Sequence, residues 1–412
     1  MNTIPVLRPL ALPNYRRLFL AMMLAIFGQG AWALYLAMQT LDLGANPAQL
    51  ASVVVWSGVG LLTSSIPAGI VADRVSKRKI LLAVMLLNTA ITAGTTSLAL
   101  SGLATYWQLA CSAFLVGSAT AFFFPAYTAL VPTMVEPDHL MAVNGLEGAT
   151  RPVIGQALAP ALVGATIGAS IPPAGGAIVA LAYALATAFA FSLPTTSPTA
   201  PTQGAAPHPL QDLIDGFRYV AITPWVAISV TFAATMTLLT VGPLEVLLPT
   251  LLRHGHDNGA AVYGAVLAAL GLGGLAGSLT MGSRPAPAHF LRSMILLWGA
   301  GCLPFALAAL TLNPWALAAG LFIYGAMIGA GMVIWGAVLQ EHVPLVMLGR
   351  VASLDFFISI AFMPLSIATT GLLAHQLGTH TLFLAAGLGP LAIAISLLVT
   401  GRLRSPATQG TS

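Results

Sequence analysis

The chain has 412 residues, of which 58% are hydrophobic and only 6% are charged, and its mean hydropathy is +0.91. Soluble domains contain about 25% charged residues, so this composition excludes a soluble globular protein and indicates an integral membrane protein. The net charge of +4 comes without a basic stripe interleaved with aromatic residues, which excludes a nucleic-acid-binding surface.

Apolar segments recur about twelve times, and each approaches the roughly 20 residues that a membrane-spanning helix needs. They do not alternate as barrel strands do, so we predict an all-α membrane protein with 12 transmembrane helices. The first segment follows Arg16 and Arg17 and is too long for a cleaved signal peptide, so we expect it to be retained. The predicted spans are 18–41, 48–72, 80–100, 105–127, 141–169, 174–194, 224–250, 260–283, 291–311, 315–339, 351–373 and 379–401.

The densest charge cluster follows the second span, in residues 69–79, which read G-I-V-A-D-R-V-S-K-R-K. Because it joins two apolar segments, we predict a short loop at the membrane surface. The positive-inside rule assigns this loop to the cytoplasm, and Asp73 can cap a neighbouring helix or pair with a cytoplasmic arginine. The alternative is a basic loop that only sets the topology. The candidate residues of a cytoplasmic gate are Gly69, Asp73, Arg74, Lys77, Arg78, Arg350 and Asp355.

The remaining basic residues agree with this orientation. If both termini are cytoplasmic, 13 of the 15 Lys and Arg residues lie inside; Arg253 lies outside and Arg151 lies within a span. We therefore predict cytoplasmic termini. The inside residues are Arg8, Arg16, Arg17, Arg74, Lys77, Arg78, Lys79, Arg218, Arg284, Arg292, Arg350, Arg402 and Arg404.

The fifth span contains Glu147 and Arg151, which are four residues apart and therefore share one helix face with Asn144. Pro152 follows directly and interrupts the helical hydrogen bonds. Ionisable groups inside a membrane usually mark a transport pathway. We predict that this pair takes part in proton coupling or substrate binding; the alternative is an ion pair that only fixes helix packing.

Other polar residues within the spans are also candidates for binding or coupling. Glu245 in span 7 can bind and release a proton if it faces a cavity, or it can reach water near the outer end. Gln29 in span 1 can line a cavity, and the alternative for both Gln29 and Asn88 is a simple hydrogen bond between helices. Asp355 is expected to pair with Arg350 or with the loop at 69–79, and Asp42 to be solvated.

Residues 195–216 interrupt the apolar pattern with a run rich in Pro, Thr, Ala and Gln, and then become amphipathic up to Phe217. This composition predicts a flexible linker that ends in a surface helix. We predict an N-terminal half (1–194), a cytoplasmic linker (195–222), a C-terminal half (223–401) and a cytoplasmic tail (402–412).

The pattern G-x-x-x-D-R-x-x-[KRG]-[KR]-[KR] at 69–79 resembles the signature loop of the major facilitator superfamily, with Ser76 in place of a glycine. The G-R-V-x-S run at 349–353 and the H-P-L-x-x-L-x-x-G-F-R-Y run at 208–219 resemble its drug and siderophore exporter branch. Residues 155–164 resemble the glycine–proline motif of its exporters, with Ala159 in place of a glycine. The arginine that many drug–proton antiporters carry in span 4 is absent.

This resemblance implies a fold of two pseudo-symmetric six-helix halves and a monomer in the cytoplasmic (inner) membrane. It also implies alternating access and proton-coupled export of an amphiphilic small molecule, a drug or a siderophore. The alternative is a proton-coupled importer of a small nutrient, although the spans hold few hydrogen-bonding side chains for a polar substrate.

The sequence contains no signature of an enzyme. It has no Walker loop, no nucleophile constellation and no histidine spacing typical of a metal site, so we predict no catalytic residues, no metal and no cofactor. Cys111 and Cys302 fall in distant spans and are expected to be buried small residues rather than a disulfide.

Overall fold

The computed structural model describes residues 5–136, 140–169, 171–194, 217–284, 287–401 and 403, and these residues contain helices and connecting turns but no strand. A short 3₁₀ helix, Pro5–Ala11, precedes the first long helix. Eleven helical stretches among the described residues are long and apolar enough to cross a membrane. The prediction of an all-α membrane protein is confirmed.

The helices of the first half follow the predicted spans to within a few residues. The largest difference is at the start of α1, which begins at Pro13 rather than at residue 18. At the charged cluster, helix runs through Arg74 and restarts at Lys77. The extended residue Val75 and the following Ser76 alone form the turn. The first half contains α1 (Pro13–Asp42), α2 (Pro47–Arg74), α3 (Lys77–Leu100), α4 (Tyr106–Leu130), α5 (Leu140–Pro152, the π-helical Val153–Leu158, and Ala159–Ala169) and α6 (Pro172–Phe191).

The second half begins with a helical segment at 217–222; residues 195–216 of the predicted linker lie outside the described residues. The last helical stretch, Leu345–Val399, is divided at Gly378, whose φ of +77° cannot belong to an α-helix. This division gives the twelfth helix. The second half contains α7 (Pro224–Gly242, the π-helical Pro243–Leu247, and Leu248–Gly255), α8 (Gly259–Gly282), α9 (Phe290–Gly301 and Leu303–Leu310), α10 (Pro314–His342), α11 (345–377) and α12 (379–399).

Glycines allow two equivalent helix pairs to pack backbone against backbone. A Cβ atom on Gly60 of α2 would overlap the carbonyl of Phe114 on α4. A Cβ atom on Gly277 of α8 would likewise overlap the carbonyl of Ala326 on α10. Small residues bring membrane helices together in this way because helix association in lipid relies on close van der Waals contact. The same contact in corresponding helix pairs reflects the pseudo-symmetry of the halves.

Arginines near the start of α3 and α9 repeat a second contact. Arg78 donates from Nη2 to the carbonyl of Phe191, the last residue of α6, at 2.6 Å. Arg292 donates from Nε to the carbonyl of Leu403, just after α12, at 3.2 Å. A cation is favourable beside the exposed carbonyls of a helix C-terminus. Each half therefore uses its third helix to hold the end of its sixth.

The hydroxyl groups of α3 are satisfied within the helix. Thr92, Thr95 and Thr96 are buried, and each donates to the carbonyl four residues earlier at 2.7–2.8 Å. Such bonds remove the penalty of an unpaired hydroxyl in an apolar bundle.

The chain divides into two compact units that do not coincide with the predicted halves. One unit contains residues 1–203 and 245–271, and the other contains residues 204–244 and 272–412. Residues 245–271 join the first unit because α5 and α8 pack closely: a Cβ atom on Gly264 would overlap the carbonyl of Pro160. The boundary predicted at 195–222 stays a prediction.

The second unit has its own aromatic core. Trp225 of α7 lies edge-on to Phe290 of α9 and to Trp335 of α10, with ring centroids 6.0 and 6.2 Å apart. Trp298 and Val351 belong to the same buried cluster. This core joins α7, α9, α10 and α11.

Candidate functional site

Glu147 is the centre of a buried polar cluster in the first unit. Its Oε2 pairs with Nη2 of Arg151 at 2.6 Å, as the spacing of four residues predicts. Its Oε1 accepts hydrogen bonds from the hydroxyls of Tyr127 on α4 and Tyr15 on α1, the latter at 3.4 Å. Glu147 is only 6% exposed, so its charge is held by one cation and two hydroxyl donors.

Arg151 lies between this carboxylate and two aromatic rings. Its guanidinium carbon is 5.4 Å from the ring centroid of Tyr127 and 5.7 Å from that of Phe124, both on α4. These are distances at which a cation is attracted to an aromatic face. The side chain is 31% exposed, and its Nε is buried without a hydrogen-bond partner among the described residues. Arg151 therefore keeps donor capacity that Glu147 does not use.

The local fold places this cluster near one end of the bundle. Tyr15 is the third residue of α1, Tyr127 lies near the end of α4, and Glu147 lies early in α5. Because α4 runs antiparallel to α1 and α5, its last residues lie at the same end of the bundle as the first residues of the other two helices. The basic residues predict that this end is the cytoplasmic one.

Helix α5 changes from α-helical to π-helical directly after the Glu147–Arg151 pair. Pro152 ends the α-helical segment, and Val153–Leu158 is π-helical. The proline removes one backbone donor, and π-helical turns are frequent at functional sites. Opposite this turn, a Cβ atom on Gly30 of α1 would overlap the carbonyl of Gly155. The break in α5 is therefore packed directly against α1.

Sequence reasoning missed Tyr15, Phe124 and Tyr127 as members of this cluster. Tyr15 is 132 residues from Glu147 in the chain, and nothing in its surroundings marks it as a partner. Phe124 and Tyr127 share a helix face of α4 because they are three residues apart, but no signal in the sequence connects this face to Glu147. The side chain of Asn144 lies outside the described residues.

Gln29 lines a small cavity within the first unit. The cavity holds about 10 Å³, which is room for about one water molecule. Asn88 and Thr120 also line it, and Oδ1 of the buried Asn88 has no hydrogen-bond partner among the described residues. Phe123, on the same cavity wall, stacks on Tyr127 with ring centroids 6.0 Å apart. Gln29 therefore lines a cavity with room for about one water molecule, and its role in binding or coupling stays a prediction.

Glu245 lies in the π-helical segment Pro243–Leu247 of α7. It is half-buried, and Tyr263 of α8 lies within electrostatic range of it. Ten residues separate it from Gly255 at the helix end, which at 1.5 Å per residue is about 15 Å. This depth favours the interior position of Glu245 over the outer-end alternative. Its coupling role stays a prediction.

Two of the predicted gate residues, Arg78 and Asp355, have described partners, and the predicted pairing of Asp355 with Arg350 or the 69–79 loop stays a prediction. Arg78 binds the end of α6 and lies 5.8 Å from the ring centroid of Phe191. Asp355 accepts a hydrogen bond from the indole nitrogen of Trp335 at 3.0 Å. Lys77 is half-buried at the first position of α3. The side chains of Gly69, Asp73, Arg74 and Arg350 lie outside the described residues, so the gate itself stays a prediction.

One minor expectation is incomplete and another is wrong. Asp42 is exposed, as expected, but its Oδ1 also lies 3.6 Å from Nη2 of Arg253 at the other end of the bundle. This partner is more than 200 residues away in the chain and therefore gave no local signal. Cys302 is buried as expected, but Cys111 is exposed on the surface of α4, and both cysteines are free. In an apolar span, exposure places a side chain against lipid.

A bundle of membrane-spanning helices built from two pseudo-symmetric halves, with a charged cluster inside one of them, is the architecture of secondary transporters. The sequence pattern of the Major Facilitator Superfamily matches residues 18–359. The chain belongs to this superfamily and is a multi-pass transporter of small molecules.

Named relatives and solved structures agree with this assignment. The chain is 27% identical over 401 residues to the enterobactin exporter EntS of Escherichia coli O1:K1 / APEC, covering 94% of this chain and 91% of that protein. The same figures hold for EntS of Shigella boydii serotype 18. A mutant of the nucleoside transporter NupG matches with a TM-score of 0.76 at 13% identity, over 93% of this chain and 98% of that one. A POT family transporter in complex with 5-aminolevulinic acid matches with a TM-score of 0.68 at 14% identity, over 95% and 97%. The structural matches establish the fold alone.

Proposed function

We propose that this transporter exports an amphiphilic small molecule with an acidic or oxygen-rich group, such as a siderophore, in exchange for protons. The observation that carries the proposal is the Glu147–Arg151 pair with its two tyrosine donors. Similarity to the enterobactin exporters over nearly the whole chain supports the direction and the substrate class. The protein works in the inner membrane as a monomer, with both termini in the cytoplasm.

Within this proposal Glu147 binds the proton and Arg151 contacts the substrate. When Glu147 is ionised it occupies Arg151, with the two side chains 2.6 Å apart. The ionised carboxylate accepts hydrogen bonds from hydroxyl groups of the substrate, and protonation removes this negative acceptor and releases the substrate. The rings of Phe124 and Tyr127 beside the guanidinium suit an aromatic or apolar part of the same molecule. Because the proton and the substrate compete for Glu147, their binding is mutually exclusive, as exchange requires.

The remaining predicted residues take secondary roles. Glu245, deep in α7, serves as a second proton-binding group, and Gln29 and Asn144 contribute polar contacts to the substrate. The gate at the cytoplasmic surface is formed by Gly69, Asp73, Arg74, Lys77, Arg78, Arg350 and Asp355. It closes the cytoplasmic end while the other end is open, as alternating access requires.

The first experiment identifies the substrate. Small molecules inside cells and in the medium are compared by mass spectrometry between a deletion strain and the complemented strain, with and without iron. We expect a compound that accumulates in the deletion strain and is released on complementation. A compound depleted from the medium only when the protein is present would instead make it an importer.

The second experiment tests proton coupling with that compound. Inverted membrane vesicles are prepared with an interior more acidic than the outside solution. Uptake of the compound is then measured for the wild type and for Glu147→Gln. We expect gradient-driven uptake to be lost, because glutamine cannot release a proton. Glu136→Gln, an exposed glutamate after α4, is the matched control and should transport normally. Full uptake by a well-expressed Glu147→Gln protein would remove Glu147 from the mechanism.

A further inference from the structure

One uncharged polar side chain is buried inside the first unit without a hydrogen bond to its carbonyl oxygen. Asn88 of α3 is 3% exposed, and its Oδ1 has no hydrogen-bond partner among the described residues. Thr92, one turn later, does not supply the bond, because its hydroxyl donates to the backbone carbonyl of Asn88 at 2.7 Å. Taking an amide oxygen out of water without a new hydrogen bond is costly in an apolar bundle. Oδ1 of Asn88 therefore needs a donor from outside the described chain.

Asn88 lines the same small cavity as Gln29. The cavity has a volume of about 10 Å³, and its wall is formed by side chains of α1, α3, α4 and α6. All four helices belong to the first compact unit. The wall is tightly packed at α6, where a Cβ atom on Gly28 of α1 would overlap the ring of Tyr183. A cavity of this size accommodates about one water molecule and no larger ligand.

The chemistry of the wall favours water over a dry gap or an ion. Four of the eight lining residues are polar, namely Gln29, Asn88, Thr120 and Tyr183. An internal water molecule is stable where it finds about two to four polar partners, whereas cavities that stay dry are apolar. The eight lining residues carry no charge, so they offer nothing to balance the charge of a bound ion.

The donors and acceptors of the wall also require a molecule between them. The Thr120 hydroxyl donates to the carbonyl of Val116 at 2.9 Å, so only its oxygen is left, as an acceptor. Oδ1 of Asn88 is an acceptor as well, so these two oxygen atoms cannot bond to each other. A water molecule can donate to both oxygens and accept from the side-chain amide of Gln29, which is half-buried.

We propose that this cavity binds one ordered water molecule that joins Asn88 of α3 to Gln29 of α1. The water donates to Oδ1 of Asn88 and to Oγ1 of Thr120, and it accepts a hydrogen bond from the amide nitrogen of Gln29. It links three helices by hydrogen bonds where the rest of the wall is apolar. The carbonyl oxygen of Gln29 stays available for a substrate. The inference depends on the cavity alone and holds for any substrate.

The test detects internal water by the oxidation of buried side chains next to it. The full-length protein in lipid nanodiscs receives a short X-ray pulse, which converts water into hydroxyl radicals at the place where the water lies. Met85 and Phe123 line the cavity and are only 1% and 5% exposed. Met38 of α1 is 0% exposed and does not line the cavity.

We expect mass spectrometry to find Met85 and Phe123 oxidised and Met38 unmodified in the wild type. Burial alone protects all three side chains from radicals formed in bulk water, so only an internal water explains a difference between them. Oxidation of Met85 that is no faster than that of Met38 would overturn the proposal.

Asn88→Leu tests which side chain holds the water, because leucine has a similar volume but no acceptor. We expect oxidation of Met85 to fall to the level of Met38. Thr92→Val is the matched control, since Thr92 is buried on the same helix, bonds to its own turn and does not line the cavity. This control should leave oxidation of Met85 unchanged. Undiminished oxidation of Met85 in Asn88→Leu would contradict the role of Asn88 and thereby the proposal.

A second variant decides the question if Asn88→Leu does not fold. Gln29→Leu removes the other amide from a half-buried position, and the same loss of Met85 oxidation is expected. Full oxidation of Met85 in Gln29→Leu would mean that the water does not join α1 to α3. The measurement is made without substrate and without a proton gradient, so its result is independent of the export assay.

Discussion

Replacing Arg151 by methionine tests whether the Glu147 cluster is held mainly by charge. The substitution keeps an unbranched side chain but removes the cation 2.6 Å from Oε2 of Glu147. Glu147, at 6% exposure, is then left as a carboxylate in an apolar bundle. Its remaining donors are the hydroxyls of Tyr15 and Tyr127 on the other oxygen.

The expected cost follows from these contacts. Removing one partner of a buried ion pair costs about 3–5 kcal/mol of unfolding free energy. The two tyrosines still bond to Glu147, and a hydrogen bond to a charged group contributes about 1.5–3 kcal/mol. We therefore expect Arg151→Met to lose about 3 kcal/mol, the low end of the range. Glu147→Gln should lose less, because Arg151 is partly exposed and reaches water.

The double variant separates the interaction energy between Glu147 and Arg151 from the contacts that each residue makes with other groups. Adding Glu147→Gln to Arg151→Met removes the unpaired charge and should recover about 2 kcal/mol of the loss. The coupling energy also contains the cost of Glu147→Gln alone, so its magnitude should exceed about 2 kcal/mol. The free energies are measured by denaturant titration of the purified protein in mixed micelles. Additive losses, with a coupling energy below about 0.5 kcal/mol, would refute the view that charge holds this cluster.

Three further outcomes follow from individual contacts. Gly30→Ala should prevent stable folding, because its Cβ would overlap a backbone carbonyl of α5, whereas Gly94→Ala, facing open space, should be neutral; thermal unfolding compares the two. A membrane-permeant maleimide should label the exposed Cys111 and spare the buried Cys302 in the folded protein; equal labelling would contradict the packing of α9. Asp42→Asn should cost no more than about 1 kcal/mol, as for exposed ion pairs, and that cost should vanish in high salt; a salt-independent loss would mean the pair is shielded from water.

The fold was predictable because lipid imposes a simple rule on sequence. Every span needs a long apolar run, so the twelve runs located the helices, and the charged cluster at 69–79 located one turn. The pairing of Glu147 with Arg151 was predictable for a different reason, since a spacing of four residues fixes the geometry within one helix.

The rest depends on contacts between distant parts of the chain. Tyr15 contacts Glu147 only because α1 and α5 become neighbours. Likewise, the Ser366 hydroxyl of α11 lies between the Gly242 amide and the Leu238 carbonyl of α7 only because these two helices pack together. No local pattern distinguishes an inserted serine from one that bonds to its own turn, as Ser229 does. The extension of α2 through Arg74 was missed because charged residues were read as loop, although such residues continue a helix readily once it leaves the apolar region.

The glycine contacts between α2 and α4, and between α8 and α10, have a consequence for how this protein can diversify. An interface made of backbone atoms loses no rotamer entropy on assembly, and it has no rotamer to adjust when a neighbour changes. Selection for a new substrate therefore has to leave Gly60 and Gly277 alone. In a mutational library, tolerated substitutions should fall on other helix faces, whereas Gly60 and Gly277 should stay unchanged.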